Sequence, residues 1–202
     1  NEPVRAVYKP ERGERPLWDF PAGLWKREIA AWVVDDALGW GLVPPTVRRD
    51  DAPLGVGSLQ RFIDADFEQH YFTLLEDERY HPQLRRMCAF DLIVNNTDRK
   101  GGHLLPMPDG HVYGVDHGLC FHQDDKLRTL LWNWRGKRLT EEALDVLGVL
   151  RRDLDGELGD TLLTLLSRRE VDKTRLRVHR LLETKKHPMP SDEWHAMPWP
   201  PF

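Results

Sequence analysis

The sequence of 202 residues is poor in cysteine: it has two, Cys88 and Cys120, and no CxxC pair. That sets aside a disulfide framework and a cysteine zinc cluster, and it suits a reducing cytoplasm. Long apolar runs are missing, so no transmembrane segment is expected. Residues Asn1 to Lys9 carry no apolar signal core. Excess positive charge is lacking too. Acids number 33 and bases 29, a net charge of −4, whereas a dedicated nucleic-acid binder is usually basic. The common signatures GxxxxGK, GxGxxG, HExxH and GxSxG do not occur. What remains is a chain with 40% hydrophobic and 31% charged residues, enough apolar material for a packed core. Tryptophan is plentiful, eight against four tyrosines.

Patterning predicts a β-rich first third and a helical last half, an α+β chain in two lobes. Val4 to Lys9 reads as a strand ending at Pro10, and Glu11 to Pro21 as a loop. Trp25, Ile29, Trp32, Val33 and Ala37 recur at helical spacing between Gly23 and Leu38, and Gly39 stops that helix. Strands are expected over Val43 to Arg48 and Val56 to Ile63, then helices over Phe67 to Leu75 and Pro82 to Val94. A polar loop, Asn95 to Gly102, precedes a short hairpin that turns at Pro108-Asp109-Gly110. Everything after residue 124 reads as helical. Caps are expected at Thr140 and at Ser167, the latter with Glu170 as a capping box. The Pro/Trp-rich segment 188–202 is expected to lie irregularly on the surface.

The chemistry gathers around Asp98 and Asp116. Asp98 sits in the polar loop between a helix and a strand, and Asp116 follows the next strand, two residues before Gly118. A hairpin of this length brings both carboxylates to one end. One can accept a proton from an attacking hydroxyl while the other holds a divalent cation on a polyphosphate. Arg99 and Lys100 are expected to neutralise phosphate charge. Alone, such aspartates are more readily turn residues. What favours chemistry is the order: a strand lysine, Lys9; a helix glutamate, Glu28; two strands; a helix; an Asp loop; a hairpin; an Asp turn. A lysine held by a glutamate of the following helix is how kinase-like folds orient ATP phosphates.

On Val7-Tyr8-Lys9-Pro10, Asn96-Thr97-Asp98-Arg99 and Val115-Asp116-His117-Gly118-Leu119-Cys120-Phe121, the chain resembles the phosphatidylinositol 3-/4-kinase-like superfamily. It is most similar to type II phosphatidylinositol 4-kinases and their actinobacterial relatives, and more distantly to HipA-type kinases. The resemblance runs from about Val4 to Phe121. It implies a protein-kinase-like fold with a truncated β-rich N-lobe and a helical C-lobe. The whole chain, 1–202, is then a single domain: about 1–63 partial N-lobe and hinge, about 64–187 C-lobe, and 188–202 the tail. It further implies that Lys9 and Glu28 handle ATP phosphates and that Gln60, Arg61, Phe62 and Ile63 form the hinge against adenine. Asp98 is then the base, with Lys100 beside it, and Asp116 binds Mg²⁺. The acceptor is a hydroxyl of an inositol lipid or of protein Ser or Thr. Two departures stand out. His103 occupies the place of a metal-binding Asn, so the second metal is either lost, altered (Mn²⁺ is one candidate) or replaced by a charged contact from His103 to phosphate. The chain also starts at the lysine strand, without the glycine-containing loop expected to cover the phosphates. A pseudokinase, binding nucleotide without turnover, is the alternative. Peripheral membrane contact through Arg168-Arg169 and Lys185-Lys186 is the sharper reading of residues that otherwise read as solvated faces.

Overall fold

The computed structural model describes residues 4–202. Strands β1 (Ala6–Pro10), β2 (Thr46–Ala52) and β3 (Gly55–Arg61) form an antiparallel sheet in the order β1-β3-β2. Helix α1 (Leu24–Leu38) lies between β1 and β2 in sequence and packs on the sheet. Its free N-terminal amides are capped from outside the helix: Gly23 and Trp25 N–H donate to the two carboxylate oxygens of Glu14, at 2.8 and 2.9 Å. It ends at Gly39 in the left-handed conformation, φ 66°. The strand starts at Thr46 because Pro44 and Pro45 lack the N–H a ladder requires.

The helical lobe holds α2 (Tyr71–Leu75), α3 (His81–Val94), α4 (Glu141–Asp153), α5 (Glu157–Leu163) and α6 (Arg168–Thr184), with the hairpin β4 (Leu104–Pro106) and β5 (Val112–Gly114). Leu84, Met87, Phe90 and Ile93 make α3 the centre of the core, packed with Leu147, Leu150 and Val178. Ser167 and Glu170 form the expected capping box on α6, and Thr140 caps α4. The architecture is therefore α+β, a small sheet lobe beside a helical one. Buried Arg27 of α1 ties the lobes, donating to Glu170 of α6 at 2.5 Å and to the Cys120 carbonyl at 2.9 Å. Cys88 and Cys120 are both buried free thiols.

Residues 124–139 are not helical, apart from a single 3-10 turn at Trp132–Trp134. Tertiary hydrogen bonds override local preference there. Lys126 N–H donates to the Asn95 side chain, Arg128 N–H to the Asn96 carbonyl, and Thr129 N–H to the Ala196 carbonyl. The tryptophans also divide. Trp25 and Trp40 are buried, but Trp18 is 88% exposed, with Lys126 Nζ 4.9 Å from its ring centre.

Asp35 on the buried face of α1 accepts the Val43 N–H at 2.7 Å, and burial pushes its carboxyl up to about 7. The native state therefore holds a proton there that an unfolded chain releases near pH 4. Its contribution to stability is complete below about pH 4 and fades as pH rises through about 7. Asp35→Asn, which keeps the acceptor and removes the charge, is expected to stabilise the fold by on the order of 2–4 kcal/mol at pH 8. At pH 4 it should change little; urea denaturation at both pH values checks it.

Candidate active site

Lys9 is the hub of the site. Its register is fixed at Gly57, where any Cβ would stand 2.4 Å from the Lys9 carbonyl oxygen, so β1 and β3 meet there only with glycine. Lys9 Nζ donates to Glu28 Oε1 at 2.5 Å and to Asp116 Oδ1 at 2.9 Å. The other Glu28 oxygen accepts the His117 N–H at 3.0 Å. One strand lysine thus joins the buried helix glutamate to the turn aspartate. Burial opposes its charge, but Glu28 and then Asp116 outweigh that and raise its pKa. Asp116 has φ 63°, strained backbone for a residue with a side chain and a common mark of functional positions. Burial pushes its carboxyl upward; Lys9 and then His103 more than offset this and hold it below the ordinary range.

Asp98 faces the same cavity of about 440 Å³, whose walls include Lys9, Glu28, Asp98, Asp116 and Arg15. Its backbone N–H is held by Asn96 Oδ1 at 3.0 Å, and Lys100 Nζ stands 3.9 Å from its carboxylate. Burial raises the Asp98 pKa, partly countered by Lys100 and reinforced by Asp116. A half-buried carboxylate raised in this way is a better proton acceptor than an ordinary one. Arg99 does not supply phosphate charge. It is fully buried, pairs with Asp91 at 2.9 Å, and donates to the Val115 carbonyl at 3.0 Å and to His117 Nε2. Asp91 and His117 therefore belong to the frame of the site; His117 lies within the Val115–Phe121 motif, whereas no motif marks Asp91. The only sequence signal was an acid set among apolar residues, Phe90-Asp91-Leu92.

His103 Nδ1 accepts the Lys100 N–H at 3.3 Å, and Nε2 stands 3.4 Å from Asp116 Oδ2. Burial and the nearby Arg99 charge lower its pKa to about 4. The neutral ring therefore carries its proton on Nε2 and donates it toward Asp116. Gln60, Arg61, Phe62 and Ile63 lie at the end of β3, outside the walls of that cavity. The Gln60 amide donates to Thr46 Oγ1, and the backbone N–H groups of Arg61 and Phe62 are taken by the carbonyls of Pro45 and Arg5.

The segment after Trp194 lies against the loop that carries Asp98 and Gly101. Trp132 Nε1 and Thr129 N–H donate to the Ala196 carbonyl, and Gly101 N–H donates to that of Pro201 at 2.8 Å. A Cβ on Gly101 would stand 3.0 Å from the Phe202 ring, itself edge-on to His70. Gly101→Val is expected to lift Phe202 away and speed amide exchange at Gly101. A displaced loop of this kind lowers turnover by up to about 100-fold. Exchange mass spectrometry beside a rate assay checks both.

The family model for phosphatidylinositol 3- and 4-kinases matches residues 39–154, more than half the chain. This chain belongs to the phosphatidylinositol 3- and 4-kinase family. It is 40% identical to the Mycobacterium tuberculosis protein Rv2133c, over 98% of this chain and 83% of that protein. It is 26% identical to phosphatidylinositol 4-kinase gamma 3 of Arabidopsis thaliana, over 65% of this chain and 29% of that kinase. A looser likeness, TM-score 0.40 at 14% identity, covers 80% of this chain and 86% of the Helicobacter pylori proinflammatory kinase CtkA. Membership in the family makes this a kinase-like chain. No helix among the described residues is long and apolar enough to cross a membrane.

Proposed function

We propose that this protein transfers the γ-phosphate of ATP to a hydroxyl acceptor, an inositol lipid or a protein Ser or Thr. The observation that carries the reading is the Lys9 bridge to both Glu28 and Asp116, with Asp98 facing the same cavity. Asp98 takes the proton of the acceptor hydroxyl. The acceptor oxygen bonds to the γ-phosphorus as the bond to the β–γ bridging oxygen breaks, and ADP leaves with that electron pair. Lys9 orients the phosphates, and Lys100 stands beside the transferred group. Asp116 would hold Mg²⁺ or Mn²⁺, while Asp98 stays free to take the proton. No cluster of three or more candidate ligands occurs among the described residues. That suits a hard cation taken by one or two carboxylates with substrate phosphates completing its shell. When bound, the ion screens the phosphate charge that these carboxylates would otherwise repel.

His103 acts through Asp116. Its Nε2–H steadies the carboxylate, and ligating a metal would require the other tautomer and the loss of the Lys100 N–H bond. His103 at the place of the expected metal-binding Asn, with its Nδ1 taken by the Lys100 N–H, is the observation that favours the alternative, a pseudokinase that binds nucleotide without turnover. Adenine placed at Gln60 to Ile63 meets Ile63 and the outer groups of the strand end, because the amides of Arg61 and Phe62 are already bonded. A cytoplasmic setting suits the two free thiols.

The test offers radiolabelled ATP with Mg²⁺ or Mn²⁺ to phosphatidylinositol vesicles and to a protein mixture, with Asp98→Asn alongside. Transfer that Asp98→Asn abolishes supports the kinase. Metal-dependent nucleotide binding without transfer supports the pseudokinase, and absence of nucleotide binding ends both readings.

A further inference from the structure

The cavity that holds Lys9, Asp98 and Asp116 has a wall that the chemistry above does not use. Residues 13–17, in the loop between β1 and α1, contribute to it, and Arg15 stands there. Arg15 and Lys9 are the two cations of the lining. Lys9 is already bonded to Glu28 and Asp116. Arg15 has neither an ion pair nor a side-chain hydrogen bond among the described residues. The carboxylates of the cavity do not occupy it. Glu14, its neighbour in sequence, is taken by the Gly23 and Trp25 amides. Glu28 and Asp116 share Lys9, and Asp98 has Lys100 beside it.

The loop is pinned on both sides of Arg15. Before it, Glu11 accepts the Trp25 Nε1–H at 2.7 Å, and Glu14 fills the N-terminus of α1. After it, Asp19 reaches the helical lobe. Its carboxylate accepts from Lys126 Nζ at 3.0 Å, and its carbonyl accepts the His122 Nε2–H at 2.9 Å. Phe20 packs edge-on to the same His122 ring. Pro16 has a fixed φ and keeps the residue before it, Arg15, extended. A segment held at both ends gives up little freedom when a ligand arrives.

The inference rests on the phosphate-transfer reading, and under that reading two placements say which part of the nucleotide meets Arg15. Asp98, which takes the acceptor proton, lines the same cavity, so the transferred phosphate belongs there. Gln60 to Ile63, proposed for adenine, lie outside it. We propose that Arg15 holds the terminal phosphate of the nucleotide, with the loop pinned to both lobes as its support. A guanidinium fork matches two phosphate oxygens, and a triphosphate with one divalent ion is still an anion. Lys9, already shared by two carboxylates, leaves the terminal oxygens in need of a second cation.

Calorimetry on the full chain with Mg²⁺ compares ADP with the β,γ-imido analogue of ATP, which keeps the terminal phosphate and resists cleavage. Arg15→Met is expected to weaken the analogue about tenfold or more and ADP less than about threefold. Arg15→Lys, which keeps the charge and loses the fork, should fall between the parent and Arg15→Met. Arg15 is exposed and unbonded, so neither substitution disturbs the core. Arg12→Met removes an equal charge from the same loop outside the cavity walls and should leave both affinities unchanged. If the parent binds the analogue and Arg15→Met binds it equally well, this inference falls and the phosphate-transfer reading stands. An equal loss for ADP overturns it in the same way. So does a loss in Arg12→Met as large as that in Arg15→Met, which would make the effect one of net charge. A parent that binds neither nucleotide overturns both.

Discussion

Asp98→Asn is expected to slow phosphate transfer about 100- to 10,000-fold, the usual span for a positioned general base. Metal-dependent nucleotide affinity should stay within about threefold, because asparagine keeps the shape of the group and Lys9 retains both its partners. The separation follows from the geometry. Asp98 is bonded to neither Lys9 nor Asp116, and its nearest charged neighbour is Lys100 at 3.9 Å. Asp116→Asn should behave differently. It removes a carboxylate that Lys9 and His103 both contact, so nucleotide affinity and rate fall together. The pH profile adds a second readout. Burial raises the Asp98 pKa, and only the ionised form accepts a proton. The rate therefore climbs with pH through a limb above the ordinary carboxylate range, and Asp98→Asn should erase that limb. A variant that loses nucleotide affinity in step with rate, or keeps the limb, would remove Asp98 from the role of base.

The order of elements was legible because it rests on local signals. Period and stop residues mark α1, proline opens α3, and the Pro108-Asp109-Gly110 turn folds the hairpin. The pairing of Lys9 with Glu28 was legible from order, a strand residue followed by a helix residue. Asp116 joining that pair required the hairpin to return, which the short turn ensures. Residues 124–139 were not legible. Their backbone bonds go to Asn95, Asn96 and Ala196, partners far along the chain that leave no periodic trace. Arg99 was misread for a related reason. Beside Asp98 in sequence, it looks like a phosphate contact, yet its partner is Asp91, eight residues earlier on the buried face of α3. The adjacent Lys100 is the one that remains beside Asp98. Alternation of direction along a loop decides which of two neighbouring cations faces the cleft, and composition carries no record of it.

Breaking the Arg99–Asp91 pair is expected to have the largest effect on stability. Both side chains are fully buried, and Asp91 also accepts from Asn96 Nδ2 and Thr129 Oγ1. Arg99→Met strands a carboxylate in the core and deprives the Val115 carbonyl of its Arg99 bond. Removing one member of such a pair costs about 3–5 kcal/mol. Against a total of roughly 5–15 kcal/mol, that removes between a fifth and nearly all of the stability. The double variant Arg99→Met with Asp91→Leu should recover part of the loss, because no unpaired charge remains. It should not recover all of it, since the Asn96 and Thr129 bonds go with Asp91. Urea denaturation of parent, single and double variants measures the terms. A single-variant cost under about 1 kcal/mol would mean that the pair does not fasten the loop. The pair also bears on chemistry. Arg99 touches α3, the backbone leaving β5 and His117 at once, so it links the loop of Asp98 to the turn of Asp116. Any double variant that regains stability should still lose transfer activity, because the two carboxylates are then held to α3 separately rather than to each other.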